Sequence, residues 1–192
     1  MKNLRKFIVA LSALLLLAAA AARGGEATQV RFFTPAGMDG PAAGLEVEAE
    51  LEGSCFGPSL ASPARPDAWR CSAGNDILDP CFAGPGQAGP LLCAADPFGS
   101  EVKQLALAEE LPAGREDGGG DLPWALELHN DGRCTMLTGA TAALAGKRID
   151  YGCADGGVIA GGVDRTGPVW TVLYRAGDAP FLEQVPVRRA WF

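Results

Sequence analysis

Trp124-Ala125-Leu126-Glu127-Leu128-His129-Asn130-Asp131-Gly132-Arg133-Cys134-Thr135-Met136-Leu137-Thr138 is the stretch that decides the fold class. Trp124, Leu126 and Leu128 alternate with small or charged neighbours, the period-2 pattern of a half-buried strand. His129 to Gly132 then reads as a turn, with Asp131 and Gly132 supplying the left-handed backbone positions of a tight hairpin, and the chain returns as a strand from Cys134 to Thr138. The chain's single histidine therefore falls at a strand end, where it reads as a strand-end residue and not as a catalytic base.

Working outward, a second hairpin runs from Arg148 to Ala160 and turns at Asp155, Gly156 and Gly157. Further strands follow at Val169 to Tyr174 and at Val185 to Trp191, the last of which closes the sheet. Pro168 and Pro186 suit the starts or edges of strands, because proline lacks the N–H that a central strand needs. Upstream, Leu105 and Leu107 alternate with polar or small residues, and Leu111 to Pro123 carries Gly118, Gly119 and Gly120 in a loop. Turns at these intervals predict a mainly β fold, with an antiparallel meander or partial barrel over 102–192. Helix is scarce beyond the N-terminal leader.

Closer to the N-terminus, Gln29 to Phe33 is a short apolar run. Leu45, Val47, Ala49 and Leu51 then alternate with Glu46, Glu48, Glu50 and Glu52. This is a strand with one solvated face, a commoner use of four glutamates than a cation ladder. From 53 to 95 the periodicity disappears while Gly, Pro and four of the six cysteines crowd in. That region is expected to be loop-rich, held by disulfides where core contacts are missing.

The cysteines are Cys55, Cys71, Cys81, Cys93, Cys134 and Cys153, an even number that in an oxidising compartment is expected to pair completely. Six cysteines allow 15 connectivities. The nearest-neighbour set, Cys55 with Cys71, Cys81 with Cys93 and Cys134 with Cys153, closes the shortest loops, each worth about 3 kcal/mol of chain entropy if unstrained. Zinc is disfavoured by the lack of any Cys-x-x-Cys pair.

Compartment is argued from the first residues. Lys2, Arg5 and Lys6 precede an uncharged apolar run from Phe7 to Ala22, and the alanines up to Ala20 and Ala22 provide the small side chains of a peptidase cut. The run is shorter than the roughly 20 residues that span a bilayer, so 1–22 reads as a cleaved secretory signal, with no stable membrane span after cleavage. The first cysteine, Cys55, lies too far from the cut for lipid anchoring there. The remainder, 23–192, reads as one exported β-rich domain, secreted or periplasmic. Removing the three leader cations from 16 Lys plus Arg leaves 13 against 23 Asp plus Glu. With Arg188 and Arg189 as the longest basic cluster, nucleic acid is an unsuitable partner, whereas a basic one is compatible.

The cysteine region contains Arg65-Pro66-Asp67-Ala68-Trp69-Arg70-Cys71 and Gly74-Asn75-Asp76-Ile77-Leu78-Asp79-Pro80-Cys81-Phe82. With Cys93, Trp124 to Leu128 and Tyr151 to Cys153, this pattern resembles a run carried by small exported bacterial proteins of unassigned function, R-x-D-A-x-R-C followed by G-N-x-I-x-D-P-C-F. The resemblance carries no activity across. Within it, Arg70 and Asp79 are candidates for a structural ion pair beside Trp69 and Phe82, since a planar guanidinium matches a carboxylate.

Motifs for acyl-transfer serines, zinc proteases and phosphate loops are missing from the sequence, as is a G-x-G-x-x-G run placed between a strand and a helix. Asp117 to Asp121 lacks the alternating ligands of a calcium loop. No catalytic, cofactor-binding or metal-ligating residue is assigned, and no cofactor is implied. The leading expectation is a non-enzymatic exported domain that binds a protein or cell-envelope component. One alternative rests on Tyr151-Gly152-Cys153-Ala154-Asp155-Gly156, which is similar to the Y-x-C-x-x-G opening of bacterial C-type lysozyme inhibitors. The other is a carboxylate-dependent cell-envelope hydrolase, since such chemistry needs only two acids about 5 to 9.5 Å apart.

Overall fold

The computed structural model describes residues 25–37, 40–87, 89–112 and 121–192. The predicted signal segment, with Lys2, Arg5, Lys6, Ala20 and Ala22, lies outside the described residues, as do Gly118 to Gly120. Fifteen strands account for nearly all the regular structure described, joined by a single 3-10 turn at Pro85–Gln87.

Six strands form one closed barrel: β9 (Ala125–Leu128), β10 (Arg133–Met136), β12 (Lys147–Cys153), β13 (Val158–Asp164), β14 (Thr171–Arg175) and β15 (Glu183–Trp191), with β15 pairing back onto β9. β11 (Ala143–Leu144) pairs with β12, and β1 (Gln29–Arg31) adds to β15 in parallel. The hairpin at 129–132 and the one turning at 155–157 both form. Of the two turn residues expected in the left-handed region, Asp131 is there at φ 65°, while Gly132 is not. Asn130 Oδ1 instead accepts from the Gly132 N–H at 3.2 Å. Inward positions are filled by Leu126, Leu128, Tyr151, Ile159, Val172 and Val187. The buried Tyr151 hydroxyl donates to the Pro123 carbonyl at 2.8 Å, so its one polar atom is satisfied.

Ahead of the second barrel, β2 (Ala36–Gly37) and β3 (Gly40–Pro41) form a short ribbon. The barrel itself is five-stranded: β4 (Glu46–Pro58), β5 (Ala68–Ala73), β6 (Asp76–Phe82), β7 (Leu91–Cys93) and β8 (Glu101–Leu107), closed by parallel pairing of β8 with β4. About half of 53–95 is strand and the rest, including the connection 59–67, is loop, the whole stapled by two disulfides. One expectation is corrected here: 102–107 leaves the antiparallel sheet expected over 102–192 to join this barrel. Alternation is broken along this barrel by register shifts between Cys55 and Gly57 on β4 and, on β6, between Leu78 and Cys81, which are three residues apart and both pack in the interior. The interior also draws on cysteines: Cys71, Cys81 and Cys93 pack with Trp69, Leu78, Leu91 and Leu105. The glutamate face of β4 is as expected, with Glu46, Glu48, Glu50 and Glu52 all exposed.

Cys55–Cys71, Cys81–Cys93 and Cys134–Cys153 are bonded, and each pair sits directly opposite in neighbouring antiparallel strands. Every disulfide is thus internal to one barrel. What joins the barrels is non-covalent. Ala68, Phe82 and Leu92 on the outside of the five-stranded barrel pack with Phe33, Trp124 and Ala125, and the Phe33, Phe82 and Trp124 rings lie 5.2 to 5.7 Å apart. Such tilted and edge-on contacts suit aromatic quadrupoles.

Candidate functional site

The expected Arg70–Asp79 pair is formed, with Nη1 and Oδ2 3.4 Å apart. It is a secondary part of a larger arrangement. Asp79, on the outer side of β6, is only 3% exposed, yet its carboxylate accepts from the Ser59 hydroxyl at 2.5 Å and from the backbone N–H of Leu60 at 3.2 Å and Ala61 at 3.4 Å. Ser59 Oγ in turn accepts from the Ser62 N–H at 2.8 Å, so Asp79 anchors the 59–62 loop against the barrel wall. Burial raises its pKa from the ordinary carboxylate value, opposed by the bonds from Ser59, Leu60 and Ala61 and by the Arg70 charge.

Around this anchor three large apolar side chains face solvent. Phe56 is 56% exposed, with the Arg70 guanidinium 5.9 Å from its ring centre; Leu60 is 46% and Ile77 53% exposed. Ile77 and Asp79 are two residues apart on β6, and Leu60 lies on the loop that Asp79 holds. The patch therefore sits on a frame fixed by Cys55–Cys71 on one side and Cys81–Cys93 on the other.

Beside the patch, β7 ends at Cys93, and only Ala94 continues the pairing, donating to the Pro80 carbonyl at 3.3 Å. The chain then turns away at Asp96, whose Oδ1 accepts from the N–H groups of Phe98 and Gly99 at 2.8 and 3.0 Å. A cleft of about 420 Å³ opens where β7 stops. Its wall includes Ile77, Asp79, Glu48, Asp96 and Glu101, and among the described residues Lys103 is the only cation lining it, 4.0 Å from Glu48. A second, wider hollow of about 560 Å³ shares Asp96 and Gly99 and continues between the barrels, past Phe98 and Arg133. Phe98 is held edge-on to Trp191 and lies under the Arg133 guanidinium, 5.5 Å from its ring centre.

Arg65 carries structural weight that its place in the R-x-D run signals. Arg65 opens the R-x-D run and donates Nη1 to the Phe33 carbonyl at 2.6 Å and to that of Phe192 at 3.4 Å. It also pairs with Asp67 and lies over the Phe82 ring at 5.1 Å. It ties three distant parts of the chain at the junction of the barrels. His129 is exposed at the end of β9, its N–H donating to the Pro186 carbonyl at 3.0 Å. Tyr151 and Cys153 of the inhibitor-like run are built into the barrel wall, as a buried side chain and a disulfide.

The cysteines are all consumed in disulfides, which place the fold in an oxidising, extracytoplasmic setting. Chemically, the cleft offers carboxylates and strand edges. Asp79 is engaged on both oxygens by groups that hold a loop, an arrangement that suits positioning. Comparison with protein-family models, curated proteins and solved structures finds no match for the chain.

Proposed function

We propose that this chain is an exported binding module that holds a polypeptide or cell-envelope partner against the outer face of its five-stranded barrel. The observation carrying this reading is the exposed trio Phe56, Leu60 and Ile77, gathered around the buried Asp79 on a doubly disulfide-stapled frame. Exposed aromatic and aliphatic side chains on a rigid support lose little freedom on binding, which favours their use as anchors. The neighbouring acidic cleft adds charge selection.

The test is site-specific photo-crosslinking in the source organism. A photoreactive phenylalanine analogue replaces Phe56 in one variant and Phe181 in another; Phe181, on the six-stranded barrel side, is 76% exposed and serves as an equally accessible control. The proposal expects a discrete adduct from position 56 and none from 181. Equal labelling at both positions, or no adduct at 56, overturns it.

A further inference from the structure

The cleft beside β7 has a property that goes beyond an acidic surface. β6 pairs with β5 along Asp76, Ile77 and Leu78, but on its other side its ladder with β7 is confined to Cys81 opposite Cys93 and Phe82 opposite Leu92. Among the described residues, the stretch from Asp76 to Asp79 therefore has a strand neighbour on one side only, and its open side gives onto the cleft. An unpaired strand edge is a template for a further strand.

We infer that this cleft accepts an extended, lysine- or arginine-bearing peptide segment, added as a strand on the free edge of β6 in line with β7. The inference rests on the binding-module reading and names its partner chemistry. At about 3.3 Å per residue, the free edge from Ile77 to Asp79 accommodates roughly three residues of an extended chain. The occupant's charge follows from the wall: Glu48, Asp96 and Glu101 lie along it, and among the described lining residues Lys103 alone opposes them. Its apolar positions follow from Leu78, which lines the cleft and packs in the barrel interior. Alternate side chains of an added strand point to opposite faces, so a segment alternating basic and β-branched residues presents its cations on the outer face shared with Asp79 and its apolar residues on the inner face shared with Leu78.

The probes are four capped seven-residue peptides: Lys and Val alternating, the same with Glu for Lys, and the Lys–Val peptide with alternate backbone nitrogens methylated in either of the two registers, each of which removes one row of N–H donors. Calorimetric titration and amide hydrogen exchange are read on the disulfide-intact protein. The Lys–Val peptide is expected to bind and to slow exchange within Asp76 to Asp79. The Glu–Val peptide and at least one of the two methylation registers are expected to bind at least about tenfold more weakly. Glu101→Lys is expected to weaken the Lys–Val peptide about tenfold, a loss of about 1.4 kcal/mol, while leaving thermal stability unchanged. Equal binding by the Glu–Val peptide refutes the charge selection. Equal binding by both methylated registers, or no protection on β6, refutes strand addition. Absence of any peptide binding at millimolar concentration refutes the inference as a whole, and because crosslinking from position 56 does not depend on these peptides, the binding-module reading is judged separately.

Discussion

Adding a single methyl group at Gly53 is expected to destabilise the protein more than any other glycine-to-alanine change in the five-stranded barrel. β4 changes partners here: Glu46 to Gly53 pair in parallel with β8, and Ser54 to Pro58 pair antiparallel with β5. A Cβ built on Gly53 lies 2.0 Å from the Ser72 carbonyl oxygen and 3.0 Å from Leu105 Cδ1. Leu105 is fully buried, and the closer contact is backbone, so no rotamer change relieves it. Relief requires β4 and β5 to separate at the Ser54–Ser72 pair. Overpacking of a tight interior costs 1 to 3 kcal/mol, and a clash against a paired strand belongs at the upper end, about 3 kcal/mol. For a chain of this size that corresponds to a fall in Tm of roughly 6 to 12 °C. Gly57 is the internal control: it lies on the same strand, and a Cβ there meets nothing within 4 Å. Thermal unfolding of disulfide-intact Gly53→Ala and Gly57→Ala, followed by near-ultraviolet circular dichroism, measures both. Gly57→Ala is expected within about 0.5 kcal/mol of the parent, as for a surface change without special contacts. If Gly53→Ala is equally neutral, the close approach of β4 and β5 is refuted.

Arg65→Ala is expected to lower urea-unfolding stability by about 2 to 4 kcal/mol, since it removes charged hydrogen bonds to two carbonyls and leaves those acceptors and Asp67 without their partner. Arg65→Lys is expected to recover less than half of that loss, because an ammonium lacks the planar fork; full rescue by lysine contradicts the bidentate role. Asp79 gives a pH signature. Its folded-state pKa is raised chiefly by burial, so the folded form binds its proton more tightly than the unfolded form. The contribution of this carboxyl to stability is therefore greatest below its unfolded pKa of about 3.9 and declines as pH rises through the raised folded value. The difference in urea stability between the parent and Asp79→Asn is expected to shift against the parent across that window; a difference that is flat, or that moves in the parent's favour, contradicts the burial of Asp79.

The six-stranded barrel was far more legible in the sequence than the five-stranded one, for a physical reason. In β9 the inward residues are large and apolar, and the turn after it carries Asn130, Asp131 and Gly132, so period and turn chemistry agree. In β5 and β6 the inward set mixes Trp69 and Leu78 with Cys71 and Cys81, and on β6 the phase reverses between Leu78 and Cys81, three residues apart and both inward. Ala68, Phe82 and Leu92 are buried as well, against the other barrel, so at that end of the strands no polar face remains to mark an alternation. Pairing of Arg70 with Asp79 was readable from their chemistry. The hold of Asp79 on Ser59, Leu60 and Ala61 was not, because it depends on a loop brought across from about 20 residues away. Barrel closure itself is a long-range property: β8 meets β4, and β15 meets β9, across more than 50 residues each.

Both the frame beneath the apolar patch and the division into two separately stapled barrels stand or fall with the disulfide connectivity. The most direct test is proteolytic mapping of the disulfide-intact protein after alkylation without reductant, at acidic pH to prevent exchange. The structure predicts no alkylated cysteine and three linked peptide pairs, Cys55 with Cys71, Cys81 with Cys93 and Cys134 with Cys153. A linkage joining any of the first four cysteines to Cys134 or Cys153, or an alkylated thiol at any of the six, contradicts the account.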